Sequence, residues 1–182
     1  MPSTKKEKII IQPKKPFPTD KVLDGLHSVF VAFVCIPSYN LEKEGEEGRK
    51  QGYLGLLMRR DGSLGFTGGK VDEGETLEQA AVREAKEEIN CDLDASKLDM
   101  LCSHYMKDGD FEQHTHLMVC QVTAESLYAI KRDSVNGEHS ESETAAFNVV
   151  HMSKKSYENL MACNFAGTGK SEFQFLVAQG FF

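Results

Sequence analysis

The sequence predicts an α/β fold in which a mixed β-sheet is flanked by helices, and three observations carry that prediction. Runs rich in β-branched and aromatic residues alternate along the chain with segments of helical periodicity. Two of the runs, "LDMLCSHYM" and "QHTHLMVCQV", stand side by side across the turn signal "DGD" at Asp108 to Asp110, as the arms of a hairpin do. Strands that are interspersed with helices yet sometimes paired in sequence argue for a mixed sheet. The third observation is size: at 182 residues and 40% hydrophobic content the chain holds one sizeable core and falls short of two.

Taken in order, residues 1–20 carry Lys5, Lys6, Lys8, Lys14 and Lys15 and, after residue 10, three prolines, a composition that favours a flexible basic arm over packed structure. Order is expected to begin near Val22, with one domain over 21–182. The run "HSVFVAFVCI" from His27 reads as a buried strand and "YLGLLMRR" from Tyr53 as a second, joined by the polar loop "YNLEKEGEEGRKQG". The segment "DGSLGFTGG" then reads as a flexible loop leading to a helix. Thr76 followed by Gln79 fits a capping box, so that helix starts at Leu77, with Leu77, Ala80, Ala81, Ala85 and Ile89 as its apolar side. Beyond the hairpin, "AESLYAIKR" has a helical pattern. The loop "NGEHSESE" leads to a strand, "AAFNVVHM", and to two C-terminal helices, "SKKSYENLMA" and "KSEFQFLVAQ".

A net charge of −7, from 28 acidic and 21 basic residues, argues against a surface that clings as a whole to nucleic acid or to an anionic membrane. Five cysteines without a C-x-x-C pair suit a reducing compartment. No run approaches the ~20 apolar residues of a membrane span, and the N-terminus lacks the apolar core of a signal peptide. The expected localisation is intracellular, in cytoplasm or nucleus.

The chemistry concentrates on the first helix. Glu84, Glu87 and Glu88 stand at i, i+3 and i+4, which puts three carboxylates on one face. Each like-charged pair costs an isolated helix ~0.2–0.5 kcal/mol. A hard divalent cation, Mg²⁺ or Mn²⁺, removes that cost, because it prefers carboxylate and carbonyl oxygens. Arg83 lies four residues before Glu87 and eight after Glu75, close enough to fix a carboxylate that would otherwise swing freely. Gly68 and Gly69 let backbone pass close by, where a carbonyl can add a ligand. Alone, such a face is most often a solvated surface, and the whole spacing decides between the two readings.

That spacing is Gly69, five residues, Glu75, seven residues, Arg83-Glu84, two residues, Glu87-Glu88, with apolar Ala85 after the Arg-Glu pair. It resembles the Nudix box. The family usually has glycine where this chain has Asn90, and asparagine is the next most tolerant residue of the left-handed conformation that ends a helix. Outside the box, "MRRDGSLGFTGGKVD", His104 and His116, and "NFAGTGKSEF" resemble the branch containing snoRNA-decapping and inosine-diphosphate-hydrolysing enzymes, although Thr67 stands where that branch usually has proline.

The resemblance implies a Nudix fold, an α/β/α sandwich around a mixed sheet, and metal-dependent hydrolysis of a pyrophosphate bond in a nucleoside diphosphate derivative. A purine (inosine-type) nucleotide and the cap of an RNA are the implied substrates. Mg²⁺ or Mn²⁺ would be held by Glu84, Glu88 and the carbonyl of Gly68 with Glu87 close by, and Arg83 would complete the catalytic set. The base is either Glu88 itself or a loop carboxylate, Glu143 first and Glu141 behind it. Arg59 would hold a phosphate. Phe66 either stacks on a base or fills the core, and His27 with Glu172 or Gln174 would read a purine edge. His114 and His116, two apart on one strand face, suit a structural or substrate-facing role better than a zinc pair. The alternative is a catalytically inactive nucleotide- or RNA-binding module of the same fold. Partners are therefore a nucleotide or capped RNA, with no membrane and no DNA, and a homodimer is compatible with the reading. The lysine arm would either attract RNA or serve as a solubilising tail.

Overall fold

The run of β-branched and aromatic residues after His27 forms the strand around which the rest is arranged. In the computed structural model, which describes residues 7–11, 26–36, 52–108, 111–140 and 142–182, eight strands form one sheet. They are β1 (Glu7–Ile11), β2 (His27–Cys35), β3 (Gly52–Arg59), β4 (Leu64–Gly65), β5 (Thr67–Lys70), β6 (Leu98–Asp108), β7 (Phe111–Gln121) and β8 (Thr144–Met152). Four helices accompany them: α1 (Leu77–Ile89), α2 (Ala124–Asp133), α3 (Lys154–Ala162) and α4 (Gly169–Ala178).

Along one edge β2 runs parallel to β7, from His27 opposite His114 to Val34 opposite Gln121. Its other edge is shared. Ser28 to Val31 pair antiparallel with β5, whereas Val34 and Cys35 pair antiparallel with β3. The remaining pairings, β1 with β6, β6 with β7, β3 with β4 and β3 with β8, are all antiparallel, so the sheet is mixed as expected. Because side chains alternate across a strand, β2 feeds two cores. Val29, Val31, Phe33 and Cys35 pack with the buried side of α1 and with Leu127 of α2. Ala32 and Val34 pack on the other face with Leu160 of α3 and with Phe173 and Leu176 of α4. The result is the α/β/α arrangement.

Two departures from the sequence reading concern short strands. Glu7–Ile11, placed in the flexible arm, pairs with β6, from Glu7 opposite Lys107 to Ile11 opposite Ser103. The segment read as a loop before α1 holds β4 and β5, and β5 is what brings Gly68 against Phe30 of β2. The DGD turn and Glu141 lie partly or wholly outside the described residues. Among the described residues no helix is long and apolar enough to cross a membrane.

Candidate active site

The geometry of α1 starts with its ends. Thr76 Oγ1 accepts from the Gln79 amide at 3.1 Å while the Thr76 amide donates to Gln79 Oε1 at 2.8 Å, the reciprocal capping box. At the other end Asn90 adopts φ 50° and ψ 36°, the left-handed cap, with its amide directed to Lys86 O. Between the caps, Ala80, Ala81 and Ala85 present only methyl groups to the sheet, so the helix lies close to β5. A Cβ on Gly69 would stand 2.6 Å from Glu84 Oε1. At Gly68 φ is +141°, and a Cβ there would fall 2.0 Å from the Val29 carbonyl. Glycine is therefore required at Gly68, by space and backbone conformation, while at Gly69 a larger residue would have to displace the Glu84 carboxylate.

Arg83 organises the acidic face. Its Nε and Nη2 grip Glu75 Oε1 and Oε2 at 2.9 and 3.0 Å, and Nη1 donates to Glu84 Oε1 at 2.9 Å and Glu87 Oε2 at 3.1 Å. Nη2 also donates to the carbonyl of Lys70 at 2.9 Å, which ties the helix to the end of β5. The hydrogen bonds from Arg83 hold the Glu75 carboxyl below the usual carboxylate range, and those same bonds raise Arg83 itself. One planar fork thus fixes three carboxylates, a task to which guanidinium geometry is suited.

Glu88, on the same helix face, is turned from Arg83 into the protein. It is 1% exposed, and its Oε2 accepts the Gly68 amide at 2.8 Å. Burial pushes its carboxyl up to about 8, against the pull of that hydrogen bond and with a further push from the Glu84 charge. Burial also raises Glu84, opposed by Arg83. Two adjacent carboxylates that pay for their ionisation are a donor set short of positive charge. All their atoms are hard oxygens, and the set fits Mg²⁺ or Mn²⁺ better than a softer ion. As they stand, Arg83 holds one oxygen of Glu84 and one of Glu87 and the Gly68 amide one of Glu88, and among the described residues no group of three or more His, Cys, Asp or Glu side chains is arranged to hold a metal ion. The hydrogen bond at Gly68 involves its amide, whereas the expected ligand is its carbonyl.

Two further elements face this centre. Arg59, at the end of β3 where the register with β8 shifts, lends its positive charge to Glu88. Glu143, exposed at the turn before β8, adds negative charge to Glu84 and Glu88. Its carbonyl accepts from the Arg60 amide at 3.3 Å, so Arg59 and Glu143 are brought to the same side of the site. The turn also carries His139, a functional candidate absent from the sequence-based set: its amide donates to the carbonyl of Glu87 at 2.9 Å. Only its position in a Ser- and Glu-rich loop marked it, and that gave no geometric signal.

The other substrate candidates are not gathered there. Phe66 is 3% exposed and belongs to the core on the α4 face. His27 shares a strand face with Val29, on the α1 side of the sheet. Its Nδ1 lies 2.8 Å from Nε2 of His116, whose Nδ1 in turn meets Ser103 Oγ at 2.8 Å. The rings of His27 and His114 stack at 4.9 Å. Burial holds His116 down to about 3, so it stays neutral within this stack. Glu172 lies on the opposite face, buried on α4. It accepts from Thr168 Oγ1 at 2.8 Å, and His104 Nδ1 lies 3.8 Å from its Oε1. Gln174 is exposed on the outer side of α4.

Comparisons with known proteins bear on the family and the fold. The pattern of the NUDIX domain family matches residues 31–160. Among solved structures, a variant of the Bacillus subtilis pyrophosphohydrolase BsRppH superposes with a TM-score of 0.58 at 15% identity, over 96% of this chain and 92% of its own. A mutT/nudix family protein from Listeria innocua gives 0.53 at 16% identity, over 84% and 92%. The Ap4A hydrolase of C. elegans gives 0.51 at 14%, over 85% and 97%. At these identities the likeness establishes the fold. A search of the curated proteins finds no match.

Proposed function

This chain belongs to the Nudix domain family, and from that premise and the geometry of α1 we propose that it hydrolyses a pyrophosphate bond in a nucleoside diphosphate derivative with the help of Mg²⁺ or Mn²⁺. The observation that carries the reading is the pair of roles on one helix face: Arg83 locks Glu75, Glu84 and Glu87 from outside, while Glu88 is buried against Gly68. Glu84, Glu88 and the Gly68 carbonyl, with Glu87 alongside, would hold the cation, which when bound neutralises phosphate charge and lowers the pKa of a water. Arg59 then binds a phosphate oxygen. Glu143, exposed and close, accepts the proton of the attacking water, and Glu88 is the alternative base. Arg83 keeps the carboxylates from swinging away during the reaction.

For the substrate, the segments "MRRDGSLGFTGGKVD" and "NFAGTGKSEF" favour a purine (inosine-type) nucleotide or an RNA cap. A solved relative by fold is itself a pyrophosphohydrolase. The test is a panel of inosine diphosphate, capped RNA, dinucleotide and ADP-ribose substrates with Mg²⁺ and with Mn²⁺, products identified by mass. Cleavage between phosphates, lost on metal removal, supports the proposal. A chain that binds nucleotides without turning over any of them is instead a binding module of the same fold.

A further inference from the structure

The turn between α2 and β8 is pressed onto the last turn of α1. At Gly137 a Cβ would come within 2.7 Å of the carbonyl oxygens of both Glu87 and Glu88. The backbone there, φ −64° and ψ 143°, suits any residue, so only the close approach demands glycine. Two residues on, the His139 amide donates to Glu87 O, one of the carbonyls that a helix end leaves without an internal partner. The His139 ring lies nearby, its Nδ1 3.8 Å from Glu87 Oε2, an ion pair when the ring is protonated, and Arg83 Nη1 holds the same oxygen at 3.1 Å.

What is clamped to the helix also sets the path into β8. The carbonyl of His139 accepts from the amides of Ser142, Glu143 and Thr144 at 3.2, 3.0 and 3.4 Å. Arg60 secures the far side, its amide to Glu143 O at 3.3 Å and its Nη2 to Ser140 O at 3.4 Å. The turn therefore has two anchors, the His139 amide on α1 and Arg60 at Ser140 and Glu143.

We propose that His139 is a positioning residue which, with Gly137, clamps the 137–143 turn to the end of α1 and so holds Glu143 against the acidic face and steadies Glu87. The proposal rests on the hydrolase reading above for its catalytic consequence, but the clamp itself is a property of the free protein. Its test uses Gly137→Ala, His139→Ala and His139→Asn in the full chain, read in two ways. Amide hydrogen exchange without metal or substrate should quicken at His139 and Glu143 by at least about 10-fold in Gly137→Ala, since the added methyl group cannot fit. Turnover should fall by at least about 10-fold in the same variant with KM within about 3-fold, the signature of a misplaced catalytic group and not of lost substrate binding. His139→Ala should show the same split more weakly, and His139→Asn, which keeps a side-chain donor near Glu87, should recover most of the rate. Unchanged exchange in Gly137→Ala would overturn the clamp. Equal rates in His139→Ala and wild type, or losses that merely track Tm with no rescue by asparagine, would overturn the positioning role. Should Gly137→Ala not fold, the two His139 variants decide. A wild-type chain inactive on every nucleotide would defeat the hydrolase reading and with it the positioning role, while exchange still decides whether the clamp exists.

Discussion

The acidic face of α1 and the histidine stack at the start of β2 are both dense polar clusters, yet they are built in opposite ways. Around α1 the charged side chains lie within fourteen residues, Glu75 to Glu88, and one guanidinium connects three of them. In the stack, His27 meets His116 across 89 positions of sequence, and Ser103 joins from a third strand. The first cluster requires only a correctly capped helix beside a glycine-rich strand. The second exists only if β2, β6 and β7 are all in register. A local cluster can be altered at one carboxylate with its scaffold intact, whereas a cluster or core contact assembled by the sheet shares its fate with the fold.

The sharpest way to break that contrast is at a residue assembled by the sheet. Phe66→Ala should destabilise the protein by about 3–5 kcal/mol through the cavity it leaves, read by denaturant unfolding. If instead stability holds and KM for purine nucleotides rises, the ring belongs to the substrate site and the contrast fails there. On the helix the expected effect is catalytic: Glu84→Gln and Glu88→Gln should each lower turnover by at least about 10²-fold, near 2.7 kcal/mol, with a native circular dichroism spectrum.

A smaller effect comes from pH. The folded carboxyl of Glu88 titrates near 8, above its ordinary value of 4.5. Between those values the folded state binds the extra proton, so this group's contribution to stability falls as pH rises through the window. Relative to Glu88→Gln, the metal-free wild type should lose at least about 2 °C of Tm across that range, the shift that about 1 kcal/mol produces at this chain length. A parallel pair of Tm profiles would show that Glu88 is not perturbed. Smallest is the helix end. Asn90→Gly should be neutral or stabilising by a few tenths of a kcal/mol and Asn90→Ala destabilising by about 1 kcal/mol, since alanine resists φ 50°.

The same division explains what was legible in the sequence. The capping box at Thr76 and Gln79, the left-handed Asn90 and the apolar side of α1 follow from local rules, and the structure has each of them. The main strands were legible too, because β-branched runs bounded by turns leave few alternatives. Glu7–Ile11 was not, since a five-residue strand among lysines and prolines acquires its structure from β6, about ninety residues away. Leu64–Gly65 and Thr67–Lys70 were likewise hidden, being too short for a period and rich in glycine. His139 and the pairing of His27 with His116 depend on tertiary approach alone, which no spacing in a single sequence encodes.

The α1 face can be tested as a metal centre without any substrate. Mn²⁺ binding to the wild type, Glu84→Gln and Glu88→Gln, followed by calorimetry and by the rise in Tm, isolates it from every question about the leaving group. The wild type should bind and be stabilised, and each variant should bind at least about 10-fold more weakly. Equal affinity in all three proteins, or no Mn²⁺-dependent rise in Tm for the wild type, would contradict the assignment of Glu84 and Glu88 to the metal.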